Sequence, residues 1–193
     1  MKKKFIIMAL TVCMVTGSTQ PAMAASEGNY KTMLEQFMQK IEEYIEQYIS
    51  GDKTENEEDK EESIKPVSGK AAEVISLTNS QRKNAGLSNL KENIQLSKLA
   101  QLKAEDMAKN GYFSHNSPTY GSAFDMLKTF GISYRTAGEN IAKGQKTAQS
   151  VMNGWMGSSG HRANILNSSY SEIGVGYASD AKGNTFWVQI FKG

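Results

Sequence analysis

The chain has 193 residues, with 22 lysines and arginines against 20 aspartates and glutamates, and a single cysteine, Cys13. This balance of charge argues against a nucleic-acid partner, which would require a strongly basic face. The length suits one domain of ordinary size with an extension.

The N-terminal residues predict the compartment. Three lysines at positions 2–4 precede a short apolar run over residues 5–15, and Ala22-Met23-Ala24 follows. These are the parts of a secretory signal peptide, and the run is too short to span a bilayer permanently. We therefore predict a signal peptide over residues 1–24, no later transmembrane segment, and a secreted, extracellular protein, with association with the cell wall left open. Cleavage after Ala24 would leave no disulfide and no thiol nucleophile; lipidation of Cys13 is the alternative.

An extension precedes the main domain. Residues 25–50 predict an amphipathic helix, because apolar residues recur every three or four positions: Tyr30, Leu34, Phe37, Ile41, Tyr44 and Tyr48. Packing on the domain and self-association through residues 30–49 are both open interpretations. Residues 51–69 are mostly charged and polar and predict a solvated linker. Residues 70–193 are expected to form the compact domain.

Periodicity within residues 70–193 predicts helices first and strands later. A helix is expected from Ala71 to before Gly86, and further helices over residues 96–109, 123–130 and 148–156. The inner side of the second is expected to be Leu96, Leu99, Ala100, Ala104 and Met107. Residues 173–178 and 185–191 predict the two strands of a hairpin. This order indicates the α+β class.

Both histidines of the chain lie in short polar motifs, and a lone glutamate lies between them. The motifs are Phe113-Ser114-His115-Asn116-Ser117-Pro118, Ala137-Gly138-Glu139-Asn140 and Gly160-His161-Arg162-Ala163-Asn164. Imidazole and carboxylate serve together in metal ligation and in proton transfer. We therefore expect His115, Glu139 and His161 to meet in one cleft. Ser114 and Ser117 are expected to form turns. Asn164 could face the same cleft as His161, but capping or buried hydrogen bonding is the preferred interpretation.

The motifs, taken in order, resemble the CAP superfamily of cysteine-rich secretory proteins, antigen 5 and pathogenesis-related proteins, and in particular its bacterial SCP-like extracellular branch. The resemblance covers residues 71–191. Besides the motifs above it rests on Asn79-Ser80-Gln81-Arg82, Trp155, Ile173-Gly174-Val175-Gly176 and Trp187-Val188-Gln189. It implies an α-β-α sandwich with a small central antiparallel sheet, in which residues 137–142 form a strand.

The resemblance also implies a site. In that superfamily a cleft holds two histidines and two glutamates, which in several members bind a divalent cation such as zinc. His115, Glu139 and His161 match three of these positions, but the fourth falls on Ser158, which is no carboxylate. Glu172 is the possible substitute. Zinc or another divalent cation is thus the expected cofactor if the cleft holds one.

Three functions stay open from the sequence. The first is a secreted binding module for an extracellular ligand: a small molecule, a lipid, a peptide or a cell-wall component. The second is a hydrolase acting on a peptide-like substrate through a His–Glu pair or a metal-bound water. The third is a wall-associated structural protein that oligomerises through the N-terminal helix. The family resemblance does not decide among them.

Overall fold

The computed structural model describes residues 69–193. The predicted signal peptide, the N-terminal helix and nearly all of the linker lie outside the described residues. None of the helices in the described part is long and apolar enough to cross a membrane.

The described residues form five helices and four strands. They are α1 (Gly69–Asn84), β1 (Lys91–Glu92), α2 (Ile94–Asn110), α3 (Ala123–Thr129), β2 (Ala137–Lys143), α4 (Ala148–Gly157), α5 (Ser159–Ile165), β3 (Glu172–Ser179) and β4 (Thr185–Lys192). Side-chain caps fix several helix starts, including Asn93 before α2 and the reciprocal Ser122–Asp125 capping box of α3. Gly111 ends α2 in the left-handed conformation that glycine tolerates best (φ +68°).

The four strands form one sheet in the order β1-β3-β4-β2. β4 pairs antiparallel with β2 and with β3, whereas the two-residue β1 pairs parallel with the start of β3. Helices cover both faces, which confirms the predicted α-β-α sandwich. The sheet differs from expectation in this one parallel pair, which the sequence pattern did not predict.

Each face of the sheet has its own apolar core. One core joins α1 and α4 to the sheet and includes Trp155 and Trp187, both fully buried. The other joins α2 and α3 to the opposite face, where Phe186, Val188 and Ile190 of β4 point. Alternation of buried residues along β4 between the two cores follows from the two-residue period of a strand.

Helix α2 lies directly against β3. A Cβ at Gly174 would lie 2.1 Å from the Leu96 backbone, and one at Gly176 would lie 2.2 Å from that of Ala100. The Ser97 hydroxyl accepts a hydrogen bond from Val175 N (3.2 Å), and Gln101 bonds both backbone groups of Tyr177 (2.9 and 3.0 Å). These side chains satisfy the β3 backbone beyond the short β1. The two glycines therefore allow close packing of α2 against β3.

Candidate functional site

A cleft of about 480 Å³ opens beside β2, the strand at one end of the sheet. Its lining residues are Phe113, Ser114, His115, Asn116, Ile141 and His161. His115 comes from the loop after α2, on one face of the sheet, and His161 comes from α5, on the other. The cleft therefore forms where the two helical layers meet at the edge of β2.

His115 and Glu139 form the polar centre of this site. The imidazole Nδ1 lies 2.5 Å from Glu139 Oε1, with 60% of the histidine side chain exposed but only 5% of the glutamate side chain. An ionised carboxylate can only accept a hydrogen bond, so Nδ1 carries the proton, and in a neutral ring Nε2 then has a free lone pair. Glu139 thus orients the ring of His115.

The environment of Glu139 acts on its protonation in opposite directions. Burial raises the pKa of this carboxyl above its usual value, while the hydrogen bond from His115 and the charge of Lys103 act to lower it. Its second oxygen, Oε2, is buried and has no hydrogen-bond partner among the described residues. One oxygen is therefore committed to His115 and the other is left without a protein donor.

The loop that carries His115 is anchored to α2 by two buried side chains. Lys103 Nζ donates to the carbonyl oxygen of His115 at 2.6 Å. One turn further along α2, the Asp106 carboxylate accepts from Ser117 Oγ (2.6 Å) and Thr119 Oγ1 (2.7 Å), and also from Asn110 and Tyr112. Burial acts to raise the pKa of Asp106, but these hydrogen bonds outweigh it and leave the pKa below its usual value.

His161 is held through its backbone from the opposite side. Asn140 Nδ2 donates to the His161 carbonyl at 3.1 Å and to Gln189 Oε1 at 3.0 Å. Asn164, one turn after His161, donates to Asn140 Oδ1 (2.9 Å) and to the Glu139 carbonyl (3.1 Å). Burial, and then the charge of His115, lowers the pKa of His161, which favours the neutral ring.

Glu172 does not join this group. It lies on β3, and β4 separates that strand from β2, so the two backbones run about 9–10 Å apart. Its carboxylate forms an ion pair with Lys192 (2.8 Å) and accepts a hydrogen bond from Asn93. The structure therefore brings together His115, Glu139 and His161 and leaves Glu172 elsewhere.

The polar neighbours of the histidines have the structural roles expected of them. Ser114 Oγ accepts from the Asn116 amide (3.1 Å), and Ser117 Oγ accepts from the amides of Thr119 and Tyr120. Both serines are turn-formers, as predicted. Asn164 makes two part-buried hydrogen bonds to β2. Ser158 lies at the junction of α4 and α5, and its side chain makes no capping hydrogen bond.

Comparison with known proteins identifies the family. The model of the cysteine-rich secretory protein family, CAP, matches residues 75–191, more than half of the chain. The chain belongs to the CAP family. The matched segment contains every element from the middle of α1 to nearly the end of β4, and with them the whole His115–Glu139–His161 site.

Several relatives of this CAP domain are bacterial proteins. "Uncharacterized protein YkwD" of Bacillus subtilis is 53% identical over 127 residues, covering 66% of this chain and 48% of the relative. "Uncharacterized membrane protein YlbC" of the same organism is 39% identical over 104 residues, covering 54% and 30%. A crystal structure of an extracellular protein containing an SCP domain, from Bacillus anthracis, matches with a TM-score of 0.58 and 34% identity, covering 64% and 40%. The match thus spans about half or less of the length of each relative.

The donor set does not fit a tightly held zinc ion. Such a site uses at least three protein ligands, yet the described residues contain no group of three or more His, Cys, Asp or Glu side chains placed to hold a metal. In the CAP cleft, Glu139 Oε1 already binds the His115 ring, and Ser158 offers no carboxylate. Two imidazoles remain as ligands beside the unpartnered Glu139 Oε2, and metal ligation by His115, Glu139 and His161 stays a prediction, with Glu172 away from this group.

Three residues that build the CAP cleft were not predicted from the sequence: Lys103, Asp106 and Asn140. A signal for the first was present, because Lys103 falls on the inner face of α2 between Leu99 and Met107. A lysine within an apolar stripe must find a buried partner. Asn140 belongs to the Glu139 motif, but its bonds to His161 and Gln189 join segments far apart in the sequence.

Proposed function

We propose that this chain is an extracellular binding module whose ligand enters the cleft between His115 and His161. The observation that carries this proposal is the pairing of an exposed imidazole with a buried carboxylate at the cleft, with His161 lining the same cavity. A buried carboxylate that orients the imidazole suits a binding group whose ring must point in a fixed direction. The signal-peptide pattern at residues 1–24, together with an extracellular protein among the relatives, supports export.

The lining indicates the chemistry of the ligand. His115 Nε2 offers an acceptor, and Asn116 lies beside it, while Phe113 and Ile141 add apolar surface. A ligand that suits this cleft has a hydrogen-bond donor next to an apolar or planar part. Small extracellular molecules, lipids, peptides and cell-wall fragments all include compounds of this kind, and the experiment below compares them.

Binding of this kind does not require a metal. Zinc or another divalent cation would find two imidazole nitrogens in the cleft, and both must be neutral to bind it. Because the described residues contain no group of three such side chains placed to hold a metal, we expect a cation to exchange readily with solvent. Metal analysis of protein purified without added metal, repeated with a His115→Ala, His161→Ala double variant, tests this separately from ligand binding.

The test of the binding proposal uses the mature chain and four defined probes: soluble peptidoglycan fragments, phosphatidylglycerol vesicles, a mixed peptide library and zinc chloride. Affinity is measured for the wild type, for His115→Ala and for His161→Ala. Glu105→Ala, an exposed change on α2, is the control. We expect one probe to bind the wild type and the control equally and each histidine variant at least tenfold more weakly. Equal binding by all four proteins would overturn the cleft as the binding site.

A hydrolase is the second candidate, and the His115–Glu139 pair is the observation that favours it. An imidazole oriented by a carboxylate can act as a general base on a bound water. Ser114 and Ser117 are engaged in turns, so water and not a serine would be the nucleophile. Product release from the same peptidoglycan and peptide probes tests this candidate. Turnover lost in His115→Ala would establish it, and binding without turnover would leave the binding module.

A further inference from the structure

Lys103 is a buried charge on the inner face of α2. Its side chain is fully enclosed, on the same helix face as Leu99 and Met107. Moving an ammonium out of water is expensive unless buried partners replace its hydration. Its hydrogen-bond acceptor in the described residues is the carbonyl oxygen of His115, at 2.6 Å, and the ring of Tyr112 lies 6.0 Å away.

Two negative groups offset this charge. Glu139 and Asp106 both act to raise the pKa of Lys103 while burial lowers it. Neither carboxylate lies within ion-pair distance of the ammonium among the described contacts. Lys103 therefore donates its short hydrogen bond to a main-chain carbonyl, and it lies close enough to Glu139 to interact with the charge of that carboxylate.

The carbonyl that Lys103 holds belongs to the binding histidine itself. Asp106, three residues later on α2, holds Ser117 and Thr119 beyond His115. The loop is thus fixed at His115 and again two residues after it. Fixing the His115 carbonyl limits rotation of its backbone, and hence the direction in which the imidazole can point.

We infer that Lys103 is a positioning residue of the cleft: its ammonium fixes the His115 carbonyl and so keeps Nδ1 on Glu139 and Nε2 toward the ligand. The inference deepens the proposed function and rests on it in taking His115 as a binding residue. Simple core filling does not explain Lys103, because a methionine of similar length would fill the same space without burying a charge.

The test compares the tautomer of the His115 ring between the wild type and Lys103 variants. It is measured by nitrogen-15 NMR on ligand-free protein, at a pH where the ring is neutral. In the wild type we expect a single tautomer with the proton on Nδ1, set by Glu139. Lys103→Met should lose this signature and move toward the tautomer mixture of a free histidine. Lys103→Gln, which keeps a neutral donor, should retain part of it. Lys109→Met, the same change at an exposed position of α2, is the matched control and should match the wild type.

A wild-type tautomer signature in folded Lys103→Met would overturn the inference. If that variant does not fold, the hydrogen bond is measured directly in the wild type. The Lys103 ammonium should then give an NMR resonance that is protected from solvent exchange and correlated with the His115 carbonyl. The absence of this resonance would overturn the inference. Because no ligand is present, these outcomes are independent of the binding experiment. Lys103→Met could lose the tautomer signature while His115→Ala and His161→Ala bind the probes as the wild type does. That result would reject the proposed function and leave the role of Lys103 at His115 intact.

Discussion

Replacing Gly176 with alanine should separate α2 from the sheet that it covers. A Cβ at this position would lie 2.2 Å from the Ala100 carbonyl carbon, 2.3 Å from its oxygen and 2.3 Å from the Gln101 nitrogen. All three are helix backbone atoms, so no side chain can rotate away. Since ordinary contact begins near 3.4 Å, the helix must move by about 3.4 − 2.2 = 1.2 Å.

The cost of this movement can be placed within a range. Overpacking a core costs about 1–3 kcal/mol and occasionally more. The upper end applies here, because the shift also strains the hydrogen bonds of Ser97 and Gln101 to β3. A loss of about 3 kcal/mol should lower the Tm of a domain of this size by roughly 10 °C. The movement also displaces Lys103, one turn beyond Ala100, and should loosen the loop of His115.

The assay is thermal and urea unfolding of Gly176→Ala beside a matched control, Gly154→Ala. Gly154 lies within α4, and an added Cβ there would meet only Gln145 Nε2 at 3.9 Å. The same substitution should therefore stabilise the control by up to about 1 kcal/mol, because alanine favours the helix. The two variants should change stability in opposite directions. A Gly176→Ala protein as stable as the wild type would refute the close contact between α2 and β3.

Three further predictions follow from the same contacts and from the sequence. Asn140→Ala should cost about 2 kcal/mol or more in the free energy of unfolding, because it removes one buried and two part-buried hydrogen bonds; a loss below about 0.5 kcal/mol in urea unfolding would contradict this. The pKa of His161 is lowered, so its contribution to stability is present above the ordinary histidine pKa of about 6.5 and is lost as pH falls through the lowered value. Between pH 7 and pH 5 the wild type should therefore lose more stability than His161→Gln, and parallel Tm curves would argue against it. Limited proteolysis should cut between residues 52 and 65 and leave a resistant fragment, whereas equally fast cutting within residues 71–193 would show that the domain boundary is wrong.

Most helices of the domain could be predicted because their apolar residues repeat with a helical period. The helix predicted over residues 96–109 is α2, Ile94–Asn110, and the one predicted over residues 148–156 is α4, Ala148–Gly157. The short strand β1 could not be predicted. Two residues carry no periodicity, and their pairing with Glu172 and Ile173 is a contact between distant segments. The strand β2 was expected only from the family resemblance.

The residues that face the cleft were easier to predict than those that support it. His115 and His161 could be predicted because they are the only two histidines of the sequence and lie in polar motifs, and Glu139 because it lies in a third such motif between them. Lys103 and Asp106 lie within a helix whose remaining pattern is that of a core-facing stripe. Their role depends on contacts with the loop after the helix, and a single sequence shows a helical position without showing what lies opposite it.

The position of the cleft follows from how the sheet is closed at β2. A strand at the end of a sheet leaves backbone groups without a neighbouring strand. On β2 the carbonyl oxygens of Glu139 and Ile141 accept hydrogen bonds from Asn164 and from the Trp155 indole, at 3.1 and 3.2 Å. Asn164 belongs to α5, so the bond that closes the edge at Glu139 also places His161 beside it. The contacts that protect the edge of the sheet are therefore the ones that bring the second histidine to the first.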